Sequence, residues 1–251
     1  VNNSYFFISD IHLGLQSREK EEKKERHLVR LLNYIGGADG AELFIVGDLF
    51  DYWFEYRKVY QKGFFRTLTA LQDLTEKGIN ISYIIGNHDF MHRDFFAAEI
   101  GCKMYEDGVE RVIEGKKFFI AHGDGLIKND YGYNILKKIL RNKTLQEVYS
   151  WVHPDIGVSL ASKSSKTSRD YTTKKDYGEA DGLMDAARLK IDEGFDYVLF
   201  GHLHQKRFEL YHNGCYINLG SWLDQPCYGL YKDKKFEIVD FPMSEESVLE
   251  K

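Results

Sequence analysis

Five short runs of the chain end in residues able to bind metal ions: Asp10-Ile11-His12, Gly47-Asp48-Leu49-Phe50-Asp51, Gly86-Asn87-His88-Asp89, His122-Gly123-Asp124 and Gly201-His202-Leu203-His204. Any one alone is an ordinary strand-end sequence. Five of them, each after an apolar run, point to a shared centre. The donors are the imidazoles of His12, His122, His202 and His204, the carboxylates of Asp10 and Asp48, and the amide oxygen of Asn87. They exceed the needs of one cation and suit two. With Asp48 bridging, the natural partition places Asp10, His12, Asp48 and His204 on one ion and Asp48, Asn87, His122 and His202 on the other. Nitrogen and oxygen donors without thiolate suit manganese, iron or zinc. Two cations roughly 3.5–4 Å apart lower the pKa of a shared water and neutralise phosphoryl oxygens. That is equipment for hydrolysing a phosphate ester or anhydride with no covalent enzyme intermediate.

The clusters need elements to carry them. Apolar runs over Tyr5 to Ser9, Glu42 to Val46, Ile79 to Ile85, Lys117 to Ala121 and Tyr197 to Phe200 read as buried strands. Glu19 to Ile35 and roughly Lys62 to Lys77 read as helices, with Leu28, Leu31, Leu32 and Ile35 at helical spacing. Alternating strand and helix is the pattern of an α/β protein, in which ligands collect beyond the carboxyl ends of the strands. Glycines before Asp48, Asn87 and His202 permit tight turns there. Short strands at Cys102 to Glu106, Val109 to Glu114, Arg207 to His212, Tyr216 to Leu219, Tyr228 to Tyr231 and Phe236 to Val239 predict a second, partly antiparallel sheet. The charge run Arg18 to Arg26 reads as the solvated face of the first helix.

With 251 residues, 43% of them apolar and 15% aromatic, the chain is long enough for one domain with a sizeable core. A formal net charge of −5 offers no general attraction to nucleic acid. Three scattered cysteines suit a reducing cytoplasm rather than a disulfide framework. No apolar stretch approaches the roughly 18 residues that span a bilayer, and no secretory leader is evident. The expected location is therefore cytoplasmic.

The segment from about 126 to 193 interrupts this order, with helical pieces at Tyr133 to Leu140, Leu145 to Val152 and Gly182 to Ile191, and reads as an insertion or lid. It carries basic and hydroxylic residues around Ser162 to Lys175, which suit either a phosphate or a solvated loop. Its apolar residues, among them Leu136, Ile139 and Trp151, line an acyl chamber or, as the simpler expectation for each, pack onto the domain.

In order and spacing, the five clusters resemble the signature of the calcineurin-like metallophosphoesterases, over Tyr5 to Ser221. That resemblance implies two mixed β-sheets packed as a sandwich and flanked by helices, with the metal partition given above. It also implies that His88 stabilises the transition state or protonates the leaving oxygen, with Asp89 orienting it. A closer resemblance is to the bacterial UDP-2,3-diacylglucosamine hydrolases of lipid A synthesis. It rests on Asp10-Ile11-His12-Leu13-Gly14, on Tyr52-Trp53-Phe54 after the second cluster, on Phe90, on Asp130, and on the helical insertion. It implies attack of water on the α-phosphorus, giving UMP and 2,3-diacylglucosamine 1-phosphate. Manganese is the expected metal, and Asn87, His88, Asp130, Ser165, Lys166, Arg169 and His202 the expected substrate contacts. A lid with apolar and cationic surfaces would also touch the cytoplasmic face of the inner membrane, where such a nucleotide-linked glycolipid resides. The chain departs from that family at His88, where its best-known members carry Arg. This leaves open a phosphodiesterase or phosphatase acting on a soluble nucleotide or a phosphoprotein. A non-catalytic binding module ranks below both, since no ligand is missing.

Overall fold

The computed structural model describes residues 3–126, 131–157, 182–223 and 225–241. Its first strands, β1 (Ser4–Ile8), β2 (Ala41–Val46) and β3 (Asn80–Ile84), pair in parallel, because helices α1 (Arg18–Gly36) and α2 (Phe65–Glu76) return the chain between them. Strand β4 (Lys103–Tyr105) adds to this edge in parallel after a π-helical turn (Phe96–Ile100). On the other edge, β10 (Cys227–Lys232) and β11 (Lys235–Asp240) join antiparallel, giving the order β11-β10-β1-β2-β3-β4.

The second sheet has the order β5-β6-β7-β9-β8, built from β5 (Val109–Ile113), β6 (Lys116–Ile120), β7 (Tyr197–Phe200), β8 (Lys206–Tyr211) and β9 (Gly214–Leu219). Its centre, β6-β7-β9, is parallel, and β5 and β8 run antiparallel. Two mixed sheets flanked by helices are the architecture expected from the sequence.

Strand β2 shows why the sheets stack. Its alternate residues Leu43 and Ile45 face α1 and α2, in one core with Leu28, Leu31 and Leu71, while Phe44 and Val46 face the second sheet with Phe118, Leu199 and Ile217. A strand buried on both faces needs apolar side chains of either parity, which β2 has. The far side of the second sheet is covered by α5 (Met184–Asp192), whose Ala187 and Ile191 pack with Val198, Phe200 and Tyr216. Between β6 and α5 lie α3 (Tyr131–Leu140) and α4 (Lys143–Tyr149), the latter capped by the Asn142 side chain accepting from Leu145 N at 3.1 Å.

The charge run on α1 is not wholly solvated, as the sequence had suggested. Lys24 and Glu25 are buried. Lys24 Nζ donates to the His12 carbonyl at 2.6 Å, and Glu25 accepts from Thr67 N at 3.3 Å and Arg66 at 3.4 Å. Paired in this way, both charges escape the penalty of isolated burial.

Candidate metal centre

Strands β1, β2, β3, β6 and β7 each end just before one of the five clusters, and the sandwich brings those ends to one rim. Asp10, His12, Asp48 and His122 are buried, and Asn87 and His204 half-buried. Three overlapping sets have ligand atoms within 4.8 Å of one another: Asp10 with His12 and His204, His12 with Asp48 and His88, and Asp10 with Asp48 and His122. Asn87 Oδ1 lies 2.9 Å from both His122 Nε2 and His202 Nδ1. The seven donors named from the sequence thus meet in one place.

Close approach requires unusual backbone. Asp10, His12, Asp48, His202 and His204 all have positive φ, between 49° and 70°, at a cost on the order of 1 kcal/mol each. Left-handed turns at both His202 and His204 bring two imidazoles of one short segment to the same side, which an extended strand could not do. The glycines have distinct uses. Gly47 has φ +81°, whereas Gly86 and Gly201 are required by proximity, since a Cβ there would collide with the Asp48 and Asp10 carboxylates.

Imidazole orientation is set by backbone acceptors. His122 Nδ1 donates to the Val46 carbonyl at 3.0 Å, so its Nε2 faces Asp48 Oδ2 at 3.3 Å. His88 Nδ1 donates to the Asp51 carbonyl at 3.1 Å, and His88 N donates to Asp48 Oδ1 at 2.9 Å. Asp51 also places a carboxylate oxygen 3.7 Å from His12 Nδ1. Asp51 lay within a cluster marked in the sequence, but nothing in the spacing told its role from that of Asp48.

One expectation is corrected. Asp89 does not orient His88; its carboxylate accepts from Leu49 N at 2.9 Å, Tyr83 Oη at 2.5 Å and Gly86 N at 2.9 Å. The turn after Asn87 carries Asp89 back under the loop, where it holds the Asp48 and Asn87 segments together. Other supports had no signal in the sequence: Asn218 Nδ2 donates to the Gly201 carbonyl at 2.6 Å, and Ser221 Oγ to the Asp10 carbonyl at 3.2 Å. Asp130, Ser165, Lys166 and Arg169 lie outside the described residues.

The donors fit a divalent cation. Among the described residues, the ion pairs of Asp10 and Asp48 are all with histidines rather than Lys or Arg. Burial alone would raise the Asp48 carboxyl, but the charges of His122, His88 and His12 hold it well below the usual carboxylate range. Asp10 is likewise held down against burial by the hydrogen bond and charge of His204. Burial would lower His122, yet Asp48 beside it pushes the imidazole up to about 10. His202 goes down to about 4, through burial and then repulsion from His122. In the polypeptide alone, then, His122 carries a proton at neutral pH while both carboxylates are ionised and His202 is neutral. A cation must displace that proton. Calorimetric Mn²⁺ titration of chelator-treated protein in buffers of unequal ionisation enthalpy should show net proton release at pH 7, and affinity rising with pH; binding without proton release would contradict this ligand set.

The calcineurin-like phosphoesterase model matches residues 4–206, a span holding all five clusters. The chain belongs to the calcineurin-like phosphoesterase family. The hydrolase class expected from the sequence agrees with that membership. Among relatives, a UDP-2,3-diacylglucosamine hydrolase of Porphyromonas gingivalis is 28% identical over 92% of this chain and 95% of its own. One from Neisseria meningitidis serogroup B is 29% identical over 86% and 89%, and one from Haemophilus ducreyi 25% identical over 94% and 99%. In this phosphoesterase the helices beside the centre stand the opposite way to ordinary packing. On α3, Tyr133 and Lys137, with Arg141 one turn further, face inward to Asp124, at 3.1, 2.9 and 3.2 Å. Burial would raise the Asp124 carboxyl, but the charges of Arg141, His122 and Lys137 hold it down. Ile135, Leu136, Ile139 and Leu140 face outward, and with Leu145, Val148 and Trp151 they remain exposed, Trp151 at 76%. The simpler expectation, that these side chains pack onto the domain, does not hold. No helix among the described residues is long and apolar enough to cross a membrane.

Proposed function

We propose that this phosphoesterase hydrolyses the pyrophosphate bond of UDP-2,3-diacylglucosamine, by water attack on the α-phosphorus, to give UMP and 2,3-diacylglucosamine 1-phosphate. The observation that carries the reading is the outward apolar face of α3 and α4 beside a cluster of phosphohydrolase donors. Tyr133 stands between the two, its ring 6.3 Å from that of His202. An acylated substrate needs an apolar surface next to a phosphate-cleaving centre. The three related hydrolases named above add weight to that choice of substrate.

Two divalent ions, manganese in this reading and iron or zinc by the same donors, would be held by Asp10, His12, Asp48 and His204 and by Asp48, Asn87, His122 and His202, and would supply charge neutralisation and an activated water. The chain does the rest. His88, fixed through Nδ1 on the Asp51 carbonyl, exchanges a proton with the leaving oxygen through Nε2. Asn87, His88 and His202 also contact the substrate phosphate, and Asp130, Ser165, Lys166 and Arg169, outside the described residues, complete the grip. The outward face of α3 and α4, with the exposed Lys138 on the same helix α3, rests on the cytoplasmic leaflet of the inner membrane and takes up the acyl chains.

The test is to incubate the full chain and Mn²⁺ with UDP-2,3-diacylglucosamine in detergent and follow UMP. Turnover is expected, together with a loss of more than about tenfold in kcat/KM when Leu136, Ile139 and Trp151 are all replaced by Ser, since each buried apolar side chain contributes about 1.5–3 kcal/mol. The same variant should cleave a small chromogenic diester at the parent rate. Diester cleavage without UMP release would instead favour a soluble nucleotide or phosphoprotein as substrate.

A further inference from the structure

Arg141, just beyond the C-terminal end of α3, turns both terminal guanidinium nitrogens on the loops around the centre. Nη1 donates to the Glu106 carbonyl at 2.5 Å and to Asp107 Oδ1 at 3.3 Å. Nη2 donates to the Ile85 carbonyl at 3.4 Å, the Gly86 carbonyl at 3.2 Å and Asp124 Oδ2 at 3.2 Å. Its side chain is only 15% exposed. The two backbone acceptors on Nη2 immediately precede Asn87 and His88.

The Gly86 residue is therefore gripped from two directions. Its N–H donates to Asp89 inside the domain at 2.9 Å, and its carbonyl accepts from Arg141 at the end of α3. Asp124 receives the same guanidinium two residues after His122. A planar fork reaches these acceptors together, whereas the single ammonium of lysine cannot. Surface ion pairs contribute little, but this one is largely buried and directed at two carbonyls beyond β3 that accept no backbone N–H among the described residues.

We propose that Arg141 is a positioning residue that couples the seating of α3 to the Gly86-Asn87-His88 turn, so that docking of α3 sets the placement of Asn87 and His88. Arg141 touches no reacting atom and acts through the turn. The assignment depends on the phosphoesterase chemistry and not on the glycolipid substrate, so a small diester suffices to examine it.

The experiment compares Arg141→Ala, Arg141→Lys and, as an exposed control on α4, Lys143→Ala in the full chain with Mn²⁺ and bis(p-nitrophenyl) phosphate. Removing support one shell from a metal ligand costs about ten- to a hundredfold. Arg141→Ala should lose that much in kcat with KM held within about twofold. Added guanidinium ion should recover part of the loss, and hydrogen exchange of the peptide spanning residues 83–90 should accelerate. Arg141→Lys should keep the fold and remain slow, and Lys143→Ala should behave as the parent. Unchanged kcat in Arg141→Lys, or unchanged exchange over 83–90 in a folded Arg141→Ala protein, overturns the assignment. If Arg141→Ala does not fold, the lysine variant alone decides it.

Discussion

Asp48→Ala is expected to reduce hydrolysis of any phosphate substrate by about a thousandfold or more, while the chain still folds. Asp48 shares one set with His12 and another with His122, and its Oδ2 reaches both imidazoles, 3.8 Å and 3.3 Å from their Nε2 atoms. Removing it takes a negative charge from the point where two cations would meet. Metal stabilisation of the transition state amounts to several kcal/mol, and each 1.4 kcal/mol is a factor of ten. The variant should also bind less Mn²⁺ by elemental analysis. Loss of the carboxylate leaves three histidines that it now pairs with or attracts, so His122 should fall back from about 10. Parent-like activity in a folded Asp48→Ala protein would end the dimetal reading.

The ends of the strands were legible because they obey a general rule of sheet proteins. A fully apolar run such as that of β2 must be buried on both faces, and polar residues directly after it can only gather at the strand's end. Asp10, Asp48, Asn87, His122 and His202 were found by that logic. Their supports were not, because they come from side chains whose partners are distant in sequence: Lys24 on the His12 carbonyl, Asn218 on Gly201, Arg141 on Gly86. A lysine in a charge run and an arginine at a helix end look like solvated residues until the fold is known. The role that the resemblance implied for Asp89 does not hold, since a tight turn sends the neighbouring side chains of His88 and Asp89 to different partners.

Helix α3 shows a different limit. Its period separates Tyr133, Lys137 and Arg141 from Ile135, Leu136 and Ile139, so two faces are evident in the sequence. Periodicity does not say which face turns inward. Asp124, buried and needing cationic partners, draws the polar face onto the domain and leaves the apolar face outward. The electrostatic need of one buried carboxylate thus reverses the usual orientation of an amphipathic helix. That reversal links the metal rim to an apolar surface.

His88→Ala is expected to lower kcat by about a hundredfold on a substrate with a poor leaving group and far less on a p-nitrophenyl ester. His88 Nδ1 is committed to the Asp51 carbonyl, so any proton the ring passes must travel through Nε2. Positioned proton transfer contributes roughly 10²- to 10⁴-fold. The alkoxide expelled from an alkyl phosphodiester needs that proton, whereas p-nitrophenolate departs without it. The ring also stands edge-on to His12, with centroids 4.9 Å apart, so metal content of the variant must be measured beside the rates. Unequal losses on the two substrates at full metal content identify His88 as the proton donor. Equal losses would assign it instead to charge stabilisation at the phosphoryl group, and no loss on either would remove it from the reaction.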